Sequence, residues 1–171
     1  MRLEIGGGDR NLGQDWVNID LCETADIRHD LDIMPWPIED DSVDAVYSSH
    51  CIEHVRHVIG FLNEVVRIGK LGCHVEIRCP APFAELAMVC GHVSVLSPQA
   101  VRNMDVHFPE LHWKGDKRLR LRSHHFQCSE ALHDAKRDLP FLRNLDDQVI
   151  MRWIPGTAHE SVFIFEVTAN D

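Results

Sequence analysis

No apolar run in this sequence approaches the roughly 18 residues that a membrane-spanning helix needs. The N-terminal stretch MRLEIGGG carries no secretory signal pattern before its first strand-like segment. A soluble, cytoplasmic protein is therefore expected. There is no C-x-x-C pair: Cys22, Cys51, Cys73, Cys79, Cys90 and Cys128 are scattered, which argues against a disulfide framework and for reduced thiols filling the core. Basic charge is scarce, with 17 Lys and Arg against 27 Asp and Glu and a net charge of -10. Phosphate backbones demand a basic face, so nucleic acid is not an expected partner. Internal repeats and low-complexity linkers are also missing. A chain of 171 residues, 44% hydrophobic, has the material for one core. We read residues 1–171 as a single domain, with 1–82 forming one half and 83–171 the other.

What the chain does have is an alternation of short segments. Arg2 to Ile5 is an apolar-biased run stopped by Gly6, Gly7 and Gly8, which predicts a buried strand ending in a tight turn. WVNIDL, from Trp16 to Leu21, predicts a second strand; only Asp9 to Asp15 lie between, too few for a full crossover helix. ADIRHDL then predicts a short strand, MPWPIEDDS a proline-flanked loop, and Val43 to Ser48 another strand. From Cys51 to Ile68, residues Ile52, Val55, Ile59, Leu62, Val65 and Val66 recur at helical spacing, and Val75 to Cys79 forms the next strand. This order predicts an α/β fold with a mostly parallel sheet. Further on, Ser97 and Pro98 open a helix, Lys117 to Arg122 alternates as a half-buried strand does, and Ser129 to Lys136 reads as helical. The end, VIMRWIPGTAHESVFIFEVT, reads as two strand-like runs joined by a Pro-Gly turn, hence a C-terminal antiparallel hairpin.

LEIGGG puts glycines just after a strand, where the backbone turns sharply and a ligand can touch the main chain. The next strand ends in Asp20, placed to accept both hydroxyls of a ribose. A dinucleotide site asks for a third glycine at residue 11, which is Asn, and for a longer gap before the acid. A single nucleoside without a pyrophosphate fits better. With these residues in view, the sequence resembles the class I S-adenosylmethionine-dependent methyltransferases. LEIGGG is similar to their glycine-rich first motif and VNID to the strand with the ribose-binding acid. HDLDIMPWPIEDDSVDAVYSSHCIEHV resembles their acid, loop, fourth strand and histidine-containing helix start, and VVRIGKLGCHVEIRCP the helix, glycine turn and fifth strand.

The resemblance runs from Leu3 to Pro82 and implies a Rossmann-like methyltransferase sheet with S-adenosyl-L-methionine as cofactor. Carried onto matching positions, it implies that Glu4, Gly6 and Gly8 border the methionine moiety, with backbone amides near its carboxylate. Asp20 would hold the ribose, and Asp30 and Leu31 the adenine. Ser48, Ser49 and His50 would line the sulfonium and the methyl path. Each of these residues follows a strand, where ligands of open α/β sheets sit. The bland alternatives are solvated loop carboxylates and a plain tight turn. Three departures stand out: Arg10 replaces a glycine, the first crossover helix is reduced, and the chain starts at its first strand. The site is then either open to a large acceptor or covered by a second subunit, such as another copy of the chain.

YSSHCIEHVRH matches H-x-x-E-H at His50, Glu53 and His54, a zinc hydrolase spacing. Because VDAVYSS runs straight into His50, that residue belongs to a strand-to-helix turn rather than to a helical ligand pair, and no metal is expected. His50 and His54 instead carry imidazoles, the side-chain type suited to taking a proton from an acceptor near neutrality. KGDKRLRLRSHH, from Lys114 to His125, is a basic strip whose Arg118, Arg120 and Arg122 suit either an anion clamp or a charged edge strand. Phe108, Trp113 and Phe126 near it are candidates for an acceptor pocket or for the core. The leading expectation is methyl transfer to a small molecule, a sugar or an envelope precursor. The others are a cofactor-binding partner or regulatory subunit without catalysis, and a zinc hydrolase.

Overall fold

The structure, a computed structural model, describes residues 1–10, 12–107 and 116–170. Asn11, Phe108, Trp113 and Lys114 lie outside the described residues. Among the described residues seven strands form one sheet: β1 (Arg2–Ile5), β2 (Trp16–Asp20), β3 (Ile27–Arg28), β4 (Val43–Ser49), β5 (Gly69–Pro80), β6 (Lys117–Cys128) and β7 (Ala158–Ala169). Their spatial order is β3-β2-β1-β4-β5-β7-β6. The first five run parallel, and β7 runs antiparallel to both β5 and β6. This is the α/β, mostly parallel sheet with antiparallel C-terminal strands that the sequence predicts.

Side-chain alternation divides the sheet into two unlike faces. Leu3 and Ile5 register with Val17 and Ile19, and Val75 and Ile77 with Phe165 and Phe163. All but the half-buried Val17 are buried in one apolar layer under α1 (Val58–Ile68), which contributes Phe61, Leu62, Val65, Val66 and Ile68. The opposite face carries Arg2, Trp16, Tyr47 and Arg78. Trp16 meets Tyr47 edge to face at 6.4 Å, and the two guanidinium groups lie over these rings. No helix is found between β1 and β4 among the described residues, so the reduced first crossover extends to the next two connections.

Two expectations, one of a helix and one of a strand, are corrected. The run from Cys51 to Ile68 is not one helix: a 3₁₀ turn spans Ile52–His54, and α1 starts only at Val58. The break is fixed from outside, because Asp32 Oδ1 accepts the N–H groups of Arg56 and His57 at 2.9 and 3.1 Å. VIMRW is not a strand but lies in α4 (Asp147–Trp153). Its start is capped by Asp146, whose side chain accepts from the Gln148 and Val149 amides. The antiparallel partners of β7 are therefore β5 and β6, and β6 forms the sheet edge.

The described part of the basic strip serves that edge. Arg122 pairs with Glu166 across the strands at 2.8 Å, while Lys117 binds Asp41 and the carbonyls of Arg67 and Gly69. Phe126 belongs to a second core with Ala81, Ala84, Leu132, Leu142, Ile150, Met151 and Ala158, in which α3 (Glu130–Asp138) and α4 pack. It is core rather than acceptor pocket. Between residues 88 and 129 the chain also forms α2 (Pro98–His107).

His124 gives the fold an acid-sensitive point. Its ring packs on Phe126 and Phe163, each at 4.7 Å between centroids. Burial, then Arg102, His125 and Arg152, push its pKa down to about 4. An unfolded histidine titrates near ~6.5, so between the two values the unfolded chain binds the extra proton. Stability from this group is thus complete above that window and falls as pH drops through it. Urea midpoints measured across the window should decline with acid, and His124→Phe should flatten the decline; an unchanged slope would remove His124 as its source.

Candidate functional site

The carboxyl ends of β1, β2 and β4 open onto a cavity of about 360 Å³ lined by Gly6, Asp20, Leu21, Asp30, Leu31, Asp32, His50, Cys51, His54, Val55 and Arg56. A ligand in an open α/β sheet binds at this end, where successive loops diverge. Of the residues singled out in the sequence, Gly6, Asp20, Asp30, Leu31, His50 and His54 meet here.

The glycine turn is shaped by close approach. Gly6 has φ +72°, and a Cβ on it would fall 2.3 Å from Cys51 Sγ. A Cβ on Gly7 would fall 2.7 Å from Asn18 Oδ1 and from Glu4 Cδ. The three amides of the turn are already engaged: Gly6 N–H donates to Ile19 O, Gly7 N–H to Asn18 Oδ1 and Gly8 N–H to Asp20 Oδ2. The resemblance implied amides near a bound carboxylate; in the chain alone these three are satisfied internally. Their effect is instead to build the acid. Asp20 Oδ2 accepts from Gly8 and Oδ1 from the Cys22 amide, each at 2.9 Å. The carboxylate is held in one orientation by two backbone donors, with lone pairs left over at the cavity wall.

Glu4, Gly8, Ser48 and Ser49 do not line this cavity. Glu4 points to the opposite face of the sheet, into a second hollow of about 240 Å³ with Asp9, Arg10, Asn18 and Asp26. It is 1% exposed, and burial raises its carboxyl pKa against the opposing pull of Arg10. Arg10, in place of a glycine, ties the turn by donating to Gly7 O and Ser49 O. Ser48 is fully buried and donates to Ile5 O at 3.0 Å. β4 runs through Ser49, so both serines lie within the sheet and the chain turns only at His50.

His50 has φ +54°, rare for a residue with a Cβ. The turn swings its ring between two buried acids. Nε2 lies 3.0 Å from Glu160 Oε1 in hydrogen-bond geometry, and Nδ1 lies 3.2 Å from Glu53 Oε1 out of hydrogen-bond line. Glu160 sits at the start of β7, which runs antiparallel and so begins at the same end of the sheet. His54 turns away from His50, with Nδ1 3.2 Å from the Gly91 carbonyl.

Sequence reasoning missed Cys51, Asp32, Val55, Arg56, Leu21 and Glu160. Asp32 had a usable signal, since an acid in a loop before a helix is a natural partner for that helix's first amides. Glu160 and Cys51 had none, because their roles come from chain segments far apart in sequence. Burial pushes the Cys51 thiol up to about 12, so it is an inert neutral wall rather than a nucleophile.

Residues 11–77 match the family model described as a methyltransferase domain. Solved structures share the fold along almost the whole chain. An S-adenosylmethionine-dependent methyltransferase from Archaeoglobus fulgidus matches with TM-score 0.59 and 13% identity over 96% of this chain and 85% of its own. One from Mesorhizobium loti gives 0.59 and 13% over 96% and 89%. The complex between the Haloferax volcanii Trm112 methyltransferase activator and a putative methyltransferase gives 0.56 and 14% over 99% and 82%. No curated protein sequence matches the chain. The matched segment thus resembles a methyltransferase domain, and the sheet shares the fold of S-adenosylmethionine-dependent methyltransferases.

Proposed function

We propose that the chain transfers a methyl group from S-adenosylmethionine to a small-molecule acceptor, of the sugar or envelope-precursor kind. The observation that carries this is the cavity at the ends of β1, β2 and β4, where Asp20 is locked by two backbone amides opposite Asp30 and Leu31. These residues fit an adenosyl group: a fixed carboxylate for two vicinal hydroxyls, apolar Leu31 and Val55 for a ring, and Asp30 for an exocyclic amine. The cofactor supplies an already activated methyl, so the chain's task is alignment and proton removal. His50 stands between Glu160, 3.0 Å from Nε2, and Glu53, 3.2 Å from Nδ1, and proton removal from the acceptor is assigned to this imidazole and its two carboxylates as a group. Phe83, Met88, Val89, Val93 and Val95 expose apolar surface on the segment after β5. A covering subunit would sit on this segment.

The test combines calorimetry with transfer of a labelled methyl group to a panel of small hydroxyl and amine acceptors. Asp20→Ala should weaken binding of cofactor and of its demethylated product by about 1.5 to 3 kcal/mol, roughly ten- to over a hundredfold in Kd. His50→Ala should lower turnover more than affinity. An unchanged Kd in Asp20→Ala sinks the site. Tight cofactor binding with no turnover on any acceptor would replace this reading with a regulatory partner.

A further inference from the structure

Behind the cofactor cavity lies a carboxylate without a hydrogen bond. Glu53 is 3% exposed, and neither of its oxygens has a hydrogen-bond partner. His50 Nδ1 lies 3.2 Å from Oε1 but out of hydrogen-bond line, and a buried carboxylate without hydrogen bonds is costly unless something completes it. Two imidazoles stand beside it. His54 and His92 meet edge to face at 4.7 Å between ring centroids, and one donor atom from each, with one from Glu53, all lie within 4.8 Å of one another. His92 Nδ1 is itself buried and unpartnered.

We propose that Glu53, His54 and His92 form a site for one divalent transition cation, with zinc the best match to two imidazoles and a carboxylate. The surroundings are those of a held site. His54 Nδ1 faces the Gly91 carbonyl at 3.2 Å, so Nε2 is left as the ligand atom. Imidazoles on metals have their other nitrogen fixed in this way. The Glu53 carbonyl accepts the amides of Val93 and Ser94 at 2.8 and 3.1 Å, and Ser94 Oγ donates to Ile52 O at 2.8 Å. These bonds pin the segment carrying His92 to the 3₁₀ turn carrying Glu53 and His54. Tetrahedral ligands on zinc stand roughly 3.4 Å apart, given bonds of about 2.1 Å, so closure asks for a contraction of about an ångström or somewhat more. The ion's charge also compensates the acid.

This differs from the H-x-x-E-H reading, because His50 Nε2 is bound to Glu160 and the donor atoms that converge with those of Glu53 and His54 come from His92, 38 residues beyond His54 in the numbering. The consequence is a clasp. The ion would tie the segment around Gly91 to Ser94 onto the rim of the cofactor cavity, which His54 also lines. Metal supply would thereby set the order of that rim. The inference stands whether or not the chain transfers methyl groups.

The experiment strips the full chain with chelator, reloads it with zinc or with cobalt as a coloured probe, and measures metal per chain and thermal midpoint. One equivalent, a raised midpoint and a tetrahedral cobalt spectrum are expected. His92→Ala and Glu53→Gln should lose all three, whereas His50→Ala should keep them. Should Glu53→Gln fold poorly, His92→Ala decides, since that imidazole is only partly buried. Failure of the wild-type chain to hold stoichiometric metal overturns the site, as does uptake unaffected by His92→Ala. Loss of uptake in His50→Ala with retention in His92→Ala would transfer the metal to the other triad.

Discussion

Gly6→Ala should lower unfolding free energy by about 2 to 6 kcal/mol and remove measurable cofactor binding. Two physical costs add at this position. The backbone has φ +72°, where a side chain costs about 1 to 3 kcal/mol. The new methyl would also lie 2.3 Å from Cys51 Sγ and 2.4 Å from its Cβ, an overlap that forces backbone to move, at about 1 to 3 kcal/mol. Cys51 cannot retreat easily, because it is buried in the main core and follows the strained turn at His50. Gly8 provides the internal comparison: its φ is +58°, but a Cβ there meets nothing within 4 Å. Gly8→Ala should therefore show only the backbone cost and leave the cavity's shape intact. Adding Cys51→Gly to Gly6→Ala should recover the steric part and not the rest. Urea unfolding with calorimetry checks all three; if Gly6→Ala costs no more than Gly8→Ala, the packing of the turn on Cys51 is refuted.

That contrast also shows what a sequence can carry. The strand, glycine turn and acid of LEIGGG and WVNID were legible because their meaning is local: an apolar run, a break and an acid at a strand end. The missing crossover was legible as arithmetic on Asp9 to Asp15. Within GGG, however, nothing distinguishes Gly6, whose neighbour is Cys51 on another loop, from Gly8, whose Cβ would stand in open space. Ser48 and Ser49 sit where a site was expected but face inward because the strand continues through them. VIMRW has the β-branched and aromatic content of a strand, yet the cap supplied by Asp146 and the burial of Ile150 and Met151 settle it as helix. The pairing of His50 with Glu160 joins residues 110 apart, a distance at which spacing carries no information.

The second large effect is expected at Arg67, far from the cavity wall yet controlling it. Its guanidinium grips Glu64 bidentately at 2.9 and 2.7 Å and reaches Ile38 O, Trp36 O and Asp40 Oδ1 at 2.8, 3.0 and 2.6 Å. Glu64 is 7% exposed and also accepts the Trp36 amide at 2.7 Å. The Glu64 carboxylate raises the Arg67 pKa against the effect of burial. Arg67→Ala leaves a buried carboxylate without its counter-charge, a change that costs about 3 to 5 kcal/mol. The damage should travel, because the loop held here is the one that carries Asp30 and Leu31. Its near end is fastened to the start of α1 by Asp32, its middle by Trp36 Nε1 donating to Leu31 O, and its far end by Arg67. Releasing the far end should loosen the Asp30 and Leu31 side of the cavity while Asp20 keeps its amides. Glu64→Gln with Arg67→Met, which removes both charges, should recover much of the stability, since the unpaired charge and not the missing contact is the main cost. Thermal unfolding of the single and double variants, beside cofactor titration, distinguishes these effects. A single variant as stable as the parent would show that the loop is held by packing of Trp36 alone.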